Sequence, residues 1–159
     1  MRYIHYKCLQ HWLKSKMSRK EVQMEQGGKV VTFTWKSFEC EICKQPYPFT
    51  FHNKGKQYRL ADYVDEDLPS EGSGQPYILM ESLTFEKNSS RMVQLVKPSQ
   101  TIAELQLFKM GRGHESDVRV CDISVSRVHA ILKYDSVKNH FYLEDNLSKF
   151  GTLVIPKTS

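Results

Sequence analysis

The sequence predicts a mainly β protein, a sandwich of short strands preceded by a small α+β module. Three observations carry this reading. From Pro76 onward, short runs rich in apolar, β-branched and aromatic residues recur between turn residues, and no helical periodicity intervenes. Residues 1–60 carry twelve Lys/Arg against four Asp/Glu, whereas residues 61–159 carry eleven against fourteen, a +8 front followed by a −3 back. Such an asymmetry argues for two parts and against one uniformly basic nucleic-acid binder. Between the parts lies the acidic, glycine-bearing stretch 65–74, almost without large apolar side chains, which reads as a linker. At 159 residues the chain suffices for one domain or two small ones, the smaller needing outside help to be stable.

In chain order, residues 1–4 look extended. Cys8, Leu9, Trp12 and Leu13 then recur at helical spacing and predict a short amphipathic helix, with the basic residues from Lys14 to Glu21 as its fraying, solvated end. Gly27 and Gly28 predict a turn, and the β-branched and aromatic run from Val30 to Trp35 a strand. Pro48 to Asp62 reads as irregular structure or a short hairpin. Further strands are expected at 76–80, 91–96, 101–108, 118–121, 129–134 and 140–143, with a hairpin break between Lys133 and Lys138 and at most one more strand in 152–156. The organisation expected is therefore a module at 1–50, an irregular segment and acidic linker at 51–75, and a β domain at 76–159.

Around Gly111 and Asp122, short apolar runs flank polar turns, which puts Arg112, Ser126, Arg127 and His129 near strand ends. An arginine fork beside a serine hydroxyl and a second arginine suits a doubly charged phosphate with its three acceptor oxygens. On composition alone these would be solvated loop residues; their order changes the weighing. Gly111-Arg112, then Ser126-Arg127-Val128-His129-Ala130, then the run Leu143 to Thr152 together resemble the forkhead-associated (FHA) family over roughly 77–154.

That resemblance implies a β-sandwich that binds a phosphothreonine-containing protein. It implies that Arg112 and Ser126 bind phosphate, that Arg127 assists, and that His129 holds the Ser126 loop without acting as a catalyst. Gly111 would serve the tight backbone before Arg112, and Gly151 the turn before Thr152. Two positions depart from the family pattern. Phe150 stands where the family has an asparagine that bonds the ligand backbone, and Lys149 stands where a small hydroxyl residue often meets the phosphate. A lysine still pairs with phosphate as a point charge, but an aromatic ring supplies neither donor nor acceptor of an amide. Lower affinity and poor selectivity beyond the phosphothreonine are expected. The family sandwich also continues for several strands past the Gly-Thr segment, so an open sheet edge is expected here.

Four cysteines stand at 8, 40, 43 and 121. Cys121, alone after an apolar run, reads as a buried or half-buried thiol. The two-residue spacings of His5 with Cys8 and of Cys40 with Cys43 suit a single tetrahedral zinc site, against a reading of incidental cysteines in a helix and turn. His5, Cys8, Leu9, Trp12 and Leu13, with Cys40 to Cys43, Pro46 and Tyr47, resemble the C-terminal half of a RING-CH finger, a family of ubiquitin ligases. By that family's cross-brace the two pairs belong to different zincs, and the first two ligand pairs are absent, as if the chain began inside the module. At most one zinc is expected, and ligation would belong to a longer parent with a ubiquitin-conjugating enzyme as partner.

No sequence feature orients a base for nucleophilic catalysis, and Gly111 with Gly113 is no dinucleotide loop, because no helix with a third glycine follows. No nucleotide or organic cofactor is expected, nor a specific nucleic-acid partner. With no secretory segment or long apolar run, neither membrane insertion nor a disulfide framework is expected, and the chain reads as intracellular, in cytoplasm or nucleus. Three functions stay open: a phosphothreonine-binding module, a substrate-recruiting ligase fragment, and a remnant that does neither.

Overall fold

The computed structural model describes residues 4–25, 27–61, 67–70, 72–82, 90–102 and 105–155. Their order is α1 (Tyr6–Ser15), β1 (Met17–Gln23), β2 (Lys29–Trp35), β3 (Thr50–Asn53), β4 (Lys56–Arg59), β5 (Ile78–Glu81), β6 (Arg91–Lys97), β7 (Leu105–Gly111), β8 (Val118–Arg119), β9 (Ala130–Asp135) and β10 (His140–Asp145). The protein is mainly β, as the sequence predicts. None of the described helices is long and apolar enough to cross a membrane. Contacts divide the chain into two interleaved units, the first comprising residues 1–21, 31–75 and 79–95, the second residues 22–30, 76–78 and 96–159.

In the first unit, α1 buries Leu9 and Leu13 on the stripe predicted for it. Val31, Phe33 and Trp35 of β2 lie inward in alternation, and Phe38, Phe49, Leu60, Val93 and Leu95 complete the core around them. The Trp35 indole, fully buried, donates its Nε1–H to the Leu13 carbonyl at 3.1 Å, so its polar edge is satisfied. The four-stranded sheet runs in the order β1-β2-β6-β5. β3 and β4 form the hairpin expected between Pro48 and Asp62, with Phe51 opposite Tyr58. Its turn uses positive φ at both Lys54 and Gly55, the conformation two-residue hairpins favour.

Two expectations change here. The basic segment after α1 is the strand β1, not a fraying helix. β1 is an edge strand with almost every side chain in solvent, so it has no apolar alternation to announce it; pairing with β2 makes it a strand. The acidic stretch, of which residues 62–66 and 71 fall outside the described residues, folds back at one point. Asp67 is buried and accepts Nε and Nη2 of Arg19 at 2.9 and 2.6 Å, a forked pair.

The second unit contains the sheet β10-β9-β7-β8, with β7 antiparallel to β9, β9 antiparallel to β10, and β8 parallel to β7. Ala130, Leu132 and Tyr134 alternate inward along β9, and Phe108 of β7 pairs with Leu132. Phe108, Val118, Leu132 and Tyr134 are buried, whereas most of β10 is exposed. Buried Gln106 answers both of its amide groups on Ser99, accepting from its N–H and donating to its carbonyl at 2.7 Å each. β10 is an edge strand, and residues 151–155 form no strand, with Pro156 outside the described residues. Cys121 lies beyond the end of β8 and is exposed, correcting the expectation of a buried thiol.

Candidate functional site

At the end of β7 the chain turns from Gly111 into Arg112 against the turn that carries Ser126 and Arg127. The Arg112 N–H donates to the Ser126 carbonyl at 3.1 Å, and the Gly113 N–H to the Arg127 carbonyl at 2.9 Å. The Ser116 hydroxyl reaches the same Arg127 carbonyl at 2.8 Å. Gly111 is required for space: a Cβ there would lie 2.2 Å from the Arg127 carbonyl oxygen. Its role is close backbone approach and not left-handed backbone.

These bonds set Arg112 and Arg127 on one open cavity of about 370 Å³, lined also by Gly113, His114 and Glu115. Both arginines are exposed, and neither guanidinium has a carboxylate partner among the described residues. Two cations without ion-pair partners among the described residues, on one concave surface, can take a dianion by charge-assisted hydrogen bonds. Glu115 introduces the opposite charge at the same wall, its carboxylate packed over Gly113. Sequence reasoning passed over it, since its place becomes legible only once the turn is folded.

Ser126 is held from both sides. Its N–H donates to Nδ1 of His129 at 3.2 Å, and its hydroxyl oxygen accepts the Lys149 N–H at 3.2 Å, leaving the hydroxyl proton for a ligand. His129 Nε2 lies 3.2 Å from the Gly151 carbonyl. One nitrogen accepts and the other donates, so this network calls for a neutral ring protonated at Nε2. His129 thereby ties the Ser126 turn to the loop holding Lys149, Phe150 and Gly151. Gly151 adopts φ +77°, a backbone suited to glycine. The Lys149 ammonium sits over the Phe150 ring, 5.1 Å from its centroid.

Asp145 organises that loop, a role the sequence reading missed. Its carboxylate accepts the hydroxyls of Ser148 at 2.6 Å and Thr152 at 2.7 Å, and the Ser148 N–H at 3.0 Å. The available signal was an aspartate three residues before a serine at a strand end, a pairing that favours side-chain-to-backbone turns. These bonds, the Ser148 hydroxyl foremost, hold the carboxyl below its ordinary value of 3.8. A lowered folded pKa means stabilisation present above the unfolded value and lost as pH falls through the folded one. Acidification below 3.8 is therefore expected to loosen residues 145–152. Amide exchange at Ser148 checks this: wild type is expected to lose protection as the pH falls, whereas Asp145→Asn, with no carboxylate to titrate and one acceptor oxygen fewer, should show protection that is already reduced and does not change with this acidification.

The residues proposed for zinc do not come together as a site. Cys8 Sγ lies 3.7 Å from Nδ1 of His5 at the exposed start of α1. Cys40 and Cys43 sit in a separate turn closed by the Glu39–Pro46 bridge, with the Lys44 N–H donating to the Cys40 carbonyl at 2.9 Å. Backbone N–H groups of Cys43 and Ile42, with the Tyr47 hydroxyl, draw the Cys40 thiol down to about 7. Among the described residues no group of three or more His, Cys, Asp or Glu could hold a metal ion. The expected four-ligand zinc site thus has no support here: the His5–Cys8 pair lies at the start of α1 and the Cys40–Cys43 pair in the turn at 39–46.

The family model of the FHA domain matches residues 108–157. The match begins midway along β7 and spans Gly111, Arg112, Ser126, Arg127, His129 and the loop through Thr152, leaving residues 1–50 outside it. The segment is thus similar to the FHA domain, a class of module that binds phosphopeptides. No curated protein and no solved structure matches the chain.

Proposed function

We propose that residues 76–159 act as an FHA-like module that binds phosphothreonine-containing protein segments without catalysis. The observation that carries this is the pair Arg112 and Arg127, without carboxylate partners among the described residues, on one cavity beside the turn that holds the Ser126 hydroxyl. Phosphate carries about −1.5 to −2 charge at neutral pH and offers acceptor oxygens for both forks. In this reading Arg112 takes two oxygens, Ser126 orients a third, and Arg127 and Lys149 add to the positive field. Threonine as the phosphorylated residue rests on the family likeness.

Calorimetric titration with matched peptides tests it. A phosphothreonine peptide is expected to bind at least about tenfold more tightly than its unphosphorylated twin, the equivalent of about 1.4 kcal/mol from charge-assisted bonds. Added salt should narrow the gap without closing it, because the cavity is only partly screened. Equal binding of the two peptides by the folded chain would remove the proposal.

A further inference from the structure

We infer that α1 and the β3–β4 hairpin form a surface that binds single-stranded nucleic acid through its phosphates and stacked bases, without sequence preference. The surface lies wholly in the first unit and does not rest on the phosphopeptide reading.

Charge is the first argument. All four carboxylates of residues 1–60 lie between Glu21 and Glu41, whereas ten of the twelve Lys/Arg lie in 1–20 and 44–60, so each of these two segments carries one sign only. α1 spaces Lys7, His11 and Lys14 four and three residues apart, which sets them on one stripe, and all three are exposed while Leu9 and Leu13 are buried. In the hairpin, residues 52–57 are exposed, with Lys54 and Lys56 on either side of Gly55 at the tip. Lys16, Arg19 and Lys44 are engaged by Glu41, Asp67 and Glu39, but Lys7, Lys54 and Lys56 meet no carboxylate among the described residues. Like charges gathered in this way repel one another, and an anionic partner relieves that repulsion.

The helix and the hairpin are fastened into one surface. The Tyr6 hydroxyl and the Gln10 amide both donate to the Arg59 carbonyl, at 2.6 and 2.7 Å. The Tyr6 ring stands edge-on to Phe51 and Tyr58, with centroids 5.8 and 5.6 Å away, and those two rings stack at 5.4 Å. Tyr6 and Tyr58 each carry an ammonium over the ring, Lys7 at 5.5 Å and Lys56 at 5.8 Å. Cations thus lie among half-buried aromatic rings on a pinned backbone.

That combination selects the kind of anion. Proteins that hold single strands pair a cationic track for the backbone with aromatic rings for the bases. An acidic peptide would answer the lysines and leave the rings without a partner; a duplex keeps its base faces stacked inside. Lysine ammoniums meet phosphate as point charges, which supplies affinity and no reading of sequence.

Fluorescence anisotropy of the full chain with a labelled oligothymidylate of about 16 nucleotides tests this. Contacts from Lys7, Lys14, Lys54 and Lys56 to four phosphates give a log–log salt slope of about −3, so binding should weaken about fiftyfold between about 50 and about 200 mM salt. Joint replacement by Lys7→Gln, Lys54→Gln and Lys56→Gln should cut affinity at least about tenfold at low salt and reduce the slope to about −1, whereas arginine at the same three positions should keep both. These side chains are exposed, and far-UV circular dichroism confirms the fold. An abasic strand of the same length keeps the charge and lacks the bases; it should bind at least about tenfold more weakly. Equal binding of the abasic strand, of polyglutamate or of phosphatidylserine vesicles would make the surface a general anion binder and overturn the inference. So would a glutamine variant that binds like wild type. Arg112→Ala, in the other unit, should leave oligothymidylate affinity within about twofold of wild type. A larger loss there would put the strand on the Arg112 cavity and likewise overturn the assignment.

Discussion

Gly111→Ala is expected to unfold the second unit at ordinary temperature or to lower its stability by at least about 3 kcal/mol, the upper range for overpacking. The added methyl would lie 2.2 Å from the Arg127 carbonyl oxygen, 2.7 Å from its carbon and 2.8 Å from the Ser126 carbonyl oxygen. All three are backbone atoms, so no rotamer change relieves the clash. The two turns must separate, and separation stretches the Arg112–Ser126 and Gly113–Arg127 backbone bonds that define the cavity. A small domain has only about 5–15 kcal/mol of stability from which to lose this. Gly151→Ala is the internal control. Nothing lies within 4 Å of a Cβ there, and the cost is that of φ +77° alone, about 1–2 kcal/mol for a residue with a side chain. Denaturant unfolding followed by amide exchange in β7 and β9 measures both variants. A Gly111→Ala protein within about 0.5 kcal/mol of wild type would show that the turns are not in contact as described.

This contrast shows what kind of information the sequence holds. The segments around Val30–Trp35 and Ala130–Asp135 were legible because a half-buried strand writes its environment into every second residue. β1 was not, because an edge strand with solvent around nearly all its side chains leaves no such imprint; its identity lies in a neighbour's hydrogen bonds. The same distinction runs through the site. Arg112, Ser126 and His129 could be found by order and residue type, and the family match falls on the same stretch. Asp145 and Glu115 could not, since one matters through bonds to Ser148 and Thr152 and the other through its seat over Gly113. Gly111 was singled out for the right position with an incomplete reason: the sequence suggested a tight backbone, and the fold supplies the carbonyl it must clear. The cysteine pairs show a different limit. Ligand spacing is a local property, whereas a metal site needs both pairs at one point, and among the described residues no group of three or more such side chains comes together.

Arg112→Ala is expected to weaken phosphothreonine-peptide binding by about 10- to 100-fold, with no comparable loss for the plain peptide. Hydrogen bonds to charged groups contribute about 1.5–3 kcal/mol each, and a forked guanidinium offers two in a fixed geometry. Stability should change by no more than about 0.5 kcal/mol, because the side chain is exposed and has no ion pair among the described residues to lose. The backbone N–H that bonds Ser126 is kept by alanine. Arg112→Lys keeps the charge and loses the fork, so it should fall between the two. Glu115→Gln provides a test of opposite sign: removing a carboxylate from the cavity wall that bears Arg112 and Arg127 should tighten phosphopeptide binding severalfold, most visibly at low salt where like-charge repulsion is least screened. Titrations of the phosphorylated and plain peptides against these proteins, repeated at two salt concentrations, decide the matter. If Arg112→Ala and wild type discriminate phosphate equally well, the anion is held elsewhere and the cavity between the two turns is not the site. If Arg112→Ala weakens both peptides alike, Arg112 contributes general contact and not phosphate recognition.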